Sequence, residues 1–291
     1  MKPSRSEFVD LRGRRYHLRV WGDEDKGNAP TIFMLHGWGD TGASFQFVVD
    51  ALAGNWRVIA PDWRGFGLSQ WSDGAYWFAD YLADLDALLE HYSPNAPVRV
   101  AGHSLGGIVA SLYAGIRPAR VARLVSLEGF GLWVAPADEA PARWARWLEQ
   151  VRDGDAAFRR YARRADYAQR LLDDNPRLTP ERAAFLAEHS LRAAADGGLV
   201  FAADPHQRWV NPLLFPIDDA KACWRQVSAP TLWVAGRQSA VLARFAETPQ
   251  EYRQRHDCFA QVNDALLEDC GHNLHHDQPQ AVARLLDDFF A

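Results

Sequence analysis

The chain is poor in cysteine, poor in lysine and free of long apolar runs. Cys223, Cys258 and Cys270 are the three cysteines among 291 residues. Their number is odd and their spacing matches no metal-ligand pattern, so neither a disulfide framework nor a cysteine-based metal site is expected. A reduced, cytoplasmic setting is the expectation that follows. No stretch approaches the ~20 consecutive apolar residues that span a bilayer. Residues 1–10 lack the apolar segment of a secretory signal. Lys2, Lys26 and Lys221 are the lysines, so arginine carries nearly all the positive charge, which reads as coding bias. The formal net charge is −5. A nucleic-acid or anionic-membrane partner is not expected on that balance. No internal repeat or low-complexity tract is present.

What remains is an ordinary globular composition, 48% hydrophobic and 24% charged, with enough apolar residues for a sizeable core. Residues 8–21 alternate like two short strands around Gly13. Thr31–Leu35, Arg57–Ala60, Val98–Ala101, Arg123–Leu127, Thr231–Ala235 and Ala265–Glu268 are short apolar runs that read as strands. Residues 45–53 look helical. Between the runs, Phe78, Tyr81, Leu82, Leu85, Leu88 and Leu89 fall at helical spacing. Leu105–Ile116 is a largely apolar helix. Thr179-Pro-Glu starts a further helix, and Thr248-Pro-Gln-Glu and Asp277-Gln-Pro-Gln have the form of capping boxes. Strands alternating with helices predict an α/β fold with a mostly parallel sheet covered on both faces. The alternation stops near residue 132 and resumes near 219. The expected organisation is therefore a core of residues 1–132 and 219–291. Residues 133–218 form a helical insertion without strands. Placed after a strand's C-terminal end, the insertion sits where open α/β sheets bind ligands, so it is expected to act as a lid. Its other reading is a packing or dimerisation element.

Gly102-His-Ser-Leu-Gly106 follows a strand and precedes a helix. That is the setting in which G-x-S-x-G forms a nucleophile elbow. A serine there sits on a sharp turn with its hydroxyl projecting. Glycines at 102 and 106 remove side chains that would clash across the turn. The following helix aims amides at developing negative charge. Ser104 is the expected nucleophile. Serine is weak at neutral pH and needs a base. Among ten histidines, His272 lies just after the last strand run. His275 and His276 are read as loop or surface residues, because H-x-x-H-H on a loop lacks a separate ligand set for a metal. His103 is expected to point away across the elbow.

These motifs resemble the α/β-hydrolase superfamily over nearly all of both core segments. His36-Gly-Trp-Gly39 resembles its oxyanion loop. Asp62-Trp-Arg-Gly-Phe-Gly-Leu-Ser69 resembles a turn read as structural, and His36 is read as a loop brace. The resemblance implies His272 as base, and the backbone amides of Trp38 and Leu105 as oxyanion donors. It also exposes a departure. Ser239 stands where the family's usual aspartate would follow the penultimate strand, and serine cannot supply a negative charge. Glu128, ending the strand after the nucleophile helix, is the substitute, since some family members carry the acid there. Its other readings are a strand cap or a partner for a lid arginine. Asp257, Asp264 and Asp269 are weaker candidates.

The resemblance and the serine nucleophile together imply acyl transfer to water on a small-molecule substrate, with no cofactor and no metal. A carboxylesterase for small to medium acyl esters is expected. C–C bond hydrolases of ring-cleavage products, thioesterases and lactonases are the alternatives within the fold. A non-catalytic binding protein on the same scaffold is the alternative from another class. Phe130, Trp133, Trp144, Trp147 and Trp209 are candidate pocket residues. The insertion's arginines are expected to form a solvated face, although one of them contacting a substrate carboxylate would favour C–C hydrolysis. A monomer or homodimer is expected.

Overall fold

A computed structural model describes residues 1–22, 29–132, 136–154, 156–194, 197–213 and 215–291. The strands of the main sheet are β1 (Ser4–Leu11), β2 (Arg14–Trp21), β3 (Thr31–Leu35), β4 (Arg57–Pro61), β5 (Val98–His103) and β6 (Val121–Leu127). Three short strands follow, β7 (Arg160–Tyr161), β8 (Leu191–Ala193) and β9 (Leu199–Phe201). The main sheet is completed by β10 (Thr231–Gly236) and β11 (Val262–Leu267). Its order is β1-β2-β4-β3-β5-β6-β10-β11. β1 and β2 form an antiparallel hairpin, β2 meets β4 antiparallel, and every other pair in the sheet is parallel.

Apolar runs without alternation are what a strand buried on both faces requires. In β3, Phe33 and Leu35 enter one core while Ile32 and Met34 enter the other. β10 repeats the arrangement, with Trp233 and Ala235 on the first side and Leu232 and Val234 on the second. The helices supply the covers. On the first side lie α2 (Phe78–Tyr92) and α3 (Leu105–Ile116), joined later by α7 (Ile217–Trp224). On the second lie α1 (Gln46–Ala51) and α11 (Pro279–Phe290). The α3 helix has buried residues at ten of its positions, Gly106 through Gly115.

The segment between β6 and α7 contains α4 (Ala140–Asp153), α5 (Arg164–Asp174) and α6 (Pro180–Ser190). Contrary to the sequence reading, it also holds strands. β7, β9 and β8 form a separate antiparallel sheet. Runs of two and three residues are too short to show a period of two, which is why the pattern did not reveal them. The Thr179 hydroxyl caps α6 by accepting from the Arg182 amide at 3.3 Å, as the sequence predicts. The other two capping boxes do not form. Thr248, before α9 (Pro249–His256), makes no side-chain cap. Asp277 instead ends α10 (Leu274–Asp277), and its carboxylate takes the Gly271 amide at 2.7 Å and Arg177 Nε at 2.8 Å. The remaining helix is α8 (Ala240–Ala246). No helix among the described residues is long and apolar enough to cross a membrane.

Candidate active site

The loops after β3, β5, β6, β10 and β11 meet at the C-terminal edge of the sheet. Ser104 lies between β5 and α3 with φ 49° and ψ −114°. A non-glycine residue held there is strained, and the surroundings must hold it. They do so by close packing. A Cβ on Gly102 would lie 2.4 Å from the Gly106 carbonyl carbon, and one on Gly106 would lie 2.1 Å from the Leu35 oxygen. The Ser104 amide donates to the Leu127 carbonyl at 2.9 Å, which ties the elbow to the end of β6. Leu105 opens α3, so its amide has no partner within the helix.

Glu128 follows β6 and also takes a positive φ, 57°. Its carboxylate is buried and fully engaged. Oε1 accepts the Gly236 amide at 2.8 Å, and Oε2 accepts the Ser239 hydroxyl at 2.6 Å. The same Oε2 lies 3.1 Å from His272 Nδ1. Ser239 also caps α8 by accepting the Val241 and Leu242 amides. The residue that departs from the family pattern thus donates to the Glu128 carboxylate. Sequence reasoning noted the missing charge and missed this bond. No sequence signal carried it, because the pairing of β6 with β10 that puts positions 128 and 239 on neighbouring loops exists only in the folded sheet.

Ser104, His103, His272 and Trp38 line one cavity of about 250 Å³ with Asp40, Tyr167, Asp174, Asn175 and His276. His103 is buried there and does not point away. Its Nε2 donates to the His272 carbonyl at 2.9 Å, and its ring centroid is 4.9 Å from that of His272. Burial, together with His275 and His272, pushes its pKa well below the usual histidine range. His275 and His276 also depart from the sequence reading. His275 is fully buried, with Nε2 3.0 Å from Asp40 Oδ2. His276 is 12% exposed. Both were misjudged because α10 packs inward on the loop after β3. Asp257, Asp264 and Asp269 lie away from the cavity, the first two beside His256. The cysteine thiols are also unsuited as nucleophiles, since burial pushes that of Cys270 up to about 12.

His36 braces the loop after β3. Its Nε2 accepts the Trp63 amide at 2.8 Å, and Trp63 Nε1 donates to the His36 carbonyl at 2.9 Å. The Asp62 carboxylate accepts the Gly42 and Leu68 amides and bonds His17 Nδ1 at 2.7 Å.

The candidate pocket aromatics divide. Trp147 and Trp209 line a second cavity of about 190 Å³ with Trp38, Leu105, Tyr76, Trp77 and Gln207. Both indole Nε1 atoms are buried without a hydrogen-bond partner among the described residues. Phe130 is a correction: it is 1% exposed and stacks on Trp233 in the core, centroids 5.1 Å apart. Trp144 is another, since it lies 40% exposed on α4 and lines neither cavity. Trp133 falls outside the described residues. Several insertion arginines do pair at the surface, among them Arg152 with Asp153 and Arg163 with Asp166. Arg159 and Arg170 line a third cavity that shares Trp38 and Tyr167.

A family model described as the alpha/beta hydrolase fold matches residues 30–279. The chain belongs to that family of hydrolases. A serine hydrolase-like protein of Danio rerio is 28% identical over 99% of this chain and 89% of its own length. A 3-hydroxybutyrate-oligomer hydrolase of Cupriavidus necator is 29% identical over 90% and 87%. Among solved structures, the thioesterase domain from the curacin biosynthetic pathway superposes with a TM-score of 0.82 at 24% identity. That match covers 98% of this chain and 99% of the domain.

Proposed function

We propose that this hydrolase is a serine carboxylesterase acting on small to medium acyl esters, with residues 133–218 serving as the lid over its pocket. Ser104 is the nucleophile, His272 the base and Glu128 the acid. Ser104 Oγ attacks the ester carbonyl while His272 Nε2 takes its proton. The amides of Trp38 and Leu105 receive the oxyanion. The new imidazolium points its Nδ1 proton at Glu128, whose charge stabilises it. His272 then returns the proton to the leaving alkoxide. Water attacks the acyl carbonyl while giving a proton to His272, which passes it to Ser104 Oγ as the acyl–oxygen bond breaks and the carboxylic acid leaves. Each step conserves the proton shared by serine, histidine and product.

The observation that carries this reading is the 3.1 Å contact between His272 Nδ1 and a carboxylate that is otherwise fully hydrogen-bonded. That carboxylate fixes the imidazole tautomer and leaves Nε2 free for serine. The aromatic cavity beside Leu105 suits an apolar acyl chain. The unpartnered Trp147 and Trp209 N–H groups favour a chain that carries an acceptor oxygen. A second reading, C–C bond hydrolysis, draws support from Arg159 and Arg170 in the cavity beside Trp38, where a substrate carboxylate would be matched.

The test is hydrolysis of p-nitrophenyl esters from acetate to decanoate, with Ser104→Ala alongside. Turnover should fall by roughly 10⁴–10⁶ in the variant. Labelling of Ser104 by a fluorophosphonate without hydrolysis of any ester would move the substrate class toward C–C or thioester bonds. Neither labelling nor hydrolysis would overturn the enzyme reading.

A further inference from the structure

We infer that Asp40, His275 and His276 form a binding site for a divalent transition metal, with Zn²⁺ the best fit, at the edge of the Ser104 cavity. Their donor atoms all lie within 4.8 Å of one another. Asp40 Oδ2 is 3.0 Å from His275 Nε2 and 3.8 Å from His276 Nε2. Donors about 2.0–2.1 Å from a tetrahedral zinc are separated by about 3.3 Å, and the two spacings straddle that value. Two imidazoles and one carboxylate are a borderline set that suits zinc better than calcium or magnesium.

His276 Nε2 is buried and has no hydrogen-bond partner among the described residues, although it lies 3.8 Å from Asp40 Oδ2. A buried nitrogen left unmatched is costly. A cation held between it and the Asp40 carboxylate would match it. His275 would turn its Nε2 lone pair to the metal and carry its proton on Nδ1, which is likewise unpartnered. Ser44 Oγ, 2.7 Å from Asp40 Oδ2, and the Thr41 amide, 2.8 Å from Oδ1, hold the carboxylate in place.

The location gives the site a consequence. Asp40 stands two residues beyond Trp38, and His275 three beyond His272. Asp40 and His276 both face the cavity that holds Ser104 and His272, so the fourth position opens toward the reacting groups. The His275 ring centroid is 4.4 Å from that of His103, which in turn is 4.9 Å from His272. A dication there opposes the positive charge that His272 acquires during turnover. Metal binding therefore slows the reaction, and this clause rests on the proposed triad; the binding itself does not.

The experiment titrates ZnCl₂ by calorimetry into metal-free Ser104→Ala protein, into the same protein with His276→Ala, and into the same protein with Asp40→Asn. Cobalt absorption in the visible range reports tetrahedral coordination in parallel. One equivalent should bind to the parent, with the affinity reduced at least ~100-fold by His276→Ala. Circular dichroism checks that each variant is folded, and His276→Ala alone suffices should Asp40→Asn unfold. Equal binding by parent and His276→Ala, or no stoichiometric binding by the parent, would overturn the site. Ester hydrolysis by wild type is then followed with ZnCl₂ and with chelator added back. Inhibition that His276→Ala abolishes supports the link to turnover. Stoichiometric binding with unchanged turnover overturns that link and leaves the metal site. Turnover without any metal binding leaves the triad and removes the site.

Discussion

The sheet-borne half of the molecule and the segment between β6 and α7 are built by different rules. Ser104 and Glu128 directly follow β5 and β6, strands buried on both faces, and His272 lies on the loop after the edge strand β11. The helix behind Ser104 is buried along most of its length. In the inserted segment, α4 and α5 have no buried residue at all. Its sheet consists of strands of two and three residues. Packing of the first kind holds reacting groups to a fixed geometry. Packing of the second kind can vary its side chains at small cost, since exposed positions contribute little to stability. On the proposed function, chemistry is placed in the tightly packed half and selectivity in the loosely packed one.

The largest effect is expected from Glu128→Gln. The amide keeps the shape but loses the charge that orients His272. Turnover should fall by roughly 10⁴-fold, as for the analogous change in a serine protease. The kcat should carry the loss, with KM little changed. A loss under about tenfold would remove Glu128 from the triad.

Ser239→Ala sharpens the same half. It deletes a 2.6 Å hydrogen bond to Glu128 and the cap of α8. We expect a loss of roughly one to two orders of magnitude in kcat, on the scale of outer-shell positioning changes. Stability should fall by about 1–2 kcal/mol through the lost cap. Ser239→Thr, which retains the hydroxyl, should restore most of both. Stability loss with kcat intact would reduce Ser239 to a helix cap.

These two residues mark how far the sequence could be read. The central strands of the main sheet were legible because their apolar runs have no alternation and are punctuated by Gly, Pro and Asp, and the β1–β2 hairpin because its residues alternate around Gly13. Ser104 and Glu128 could be put forward because each directly follows a strand, and His272 because it lies on the loop beyond the last one. The bond between Ser239 and Glu128 spans two strands that are neighbours only in the folded sheet, so no local pattern carries it. His275 was misjudged for a related reason, since its partner Asp40 is 235 positions away. Phe130 was misplaced because an aromatic after a strand fits a pocket and a core equally well. The short strands of the insertion have no period long enough to detect.

A pH titration probes the sheet-borne half. His36 and His103 lie buried beneath the site, and burial lowers both below their ordinary value. His275 and His272 oppose a proton on His103, while Asp40 favours one; Asp40 and Asp62 favour one on His36. The unfolded chain takes protons at these positions near pH 6.5, and the folded chain takes them only lower. Stability is therefore full above about pH 6.5 and is lost as the pH falls below it, by up to ~1.4 kcal/mol per pH unit for each group. Asp40 stays ionised in this window and contributes no slope there. Thermal melts between about pH 7.5 and 5 should show a falling Tm, steeper in wild type than in His103→Gln. A flat profile would mean that the imidazoles reach solvent.

The smallest effect is expected in the insertion. Trp209→Ala removes a wall of the aromatic cavity and one of its two unpartnered indole donors. Trp209 lines a cavity that does not include Ser104, Glu128 or His272, and its ring lies tilted against His206, centroids 4.2 Å apart. The change should act on binding that ground and transition states share, so KM rises while kcat holds. For an ester with a medium acyl chain the rise should be about tenfold, which corresponds to about 1.4 kcal/mol. For the acetate ester, too short to reach the cavity, it should be negligible. An equal effect on both esters would mean that Trp209 supports the lid as a whole and not one arm of the substrate. A fall in kcat would mean that the insertion helps to set the geometry of the reacting groups, and the division between the two halves would fail at that point.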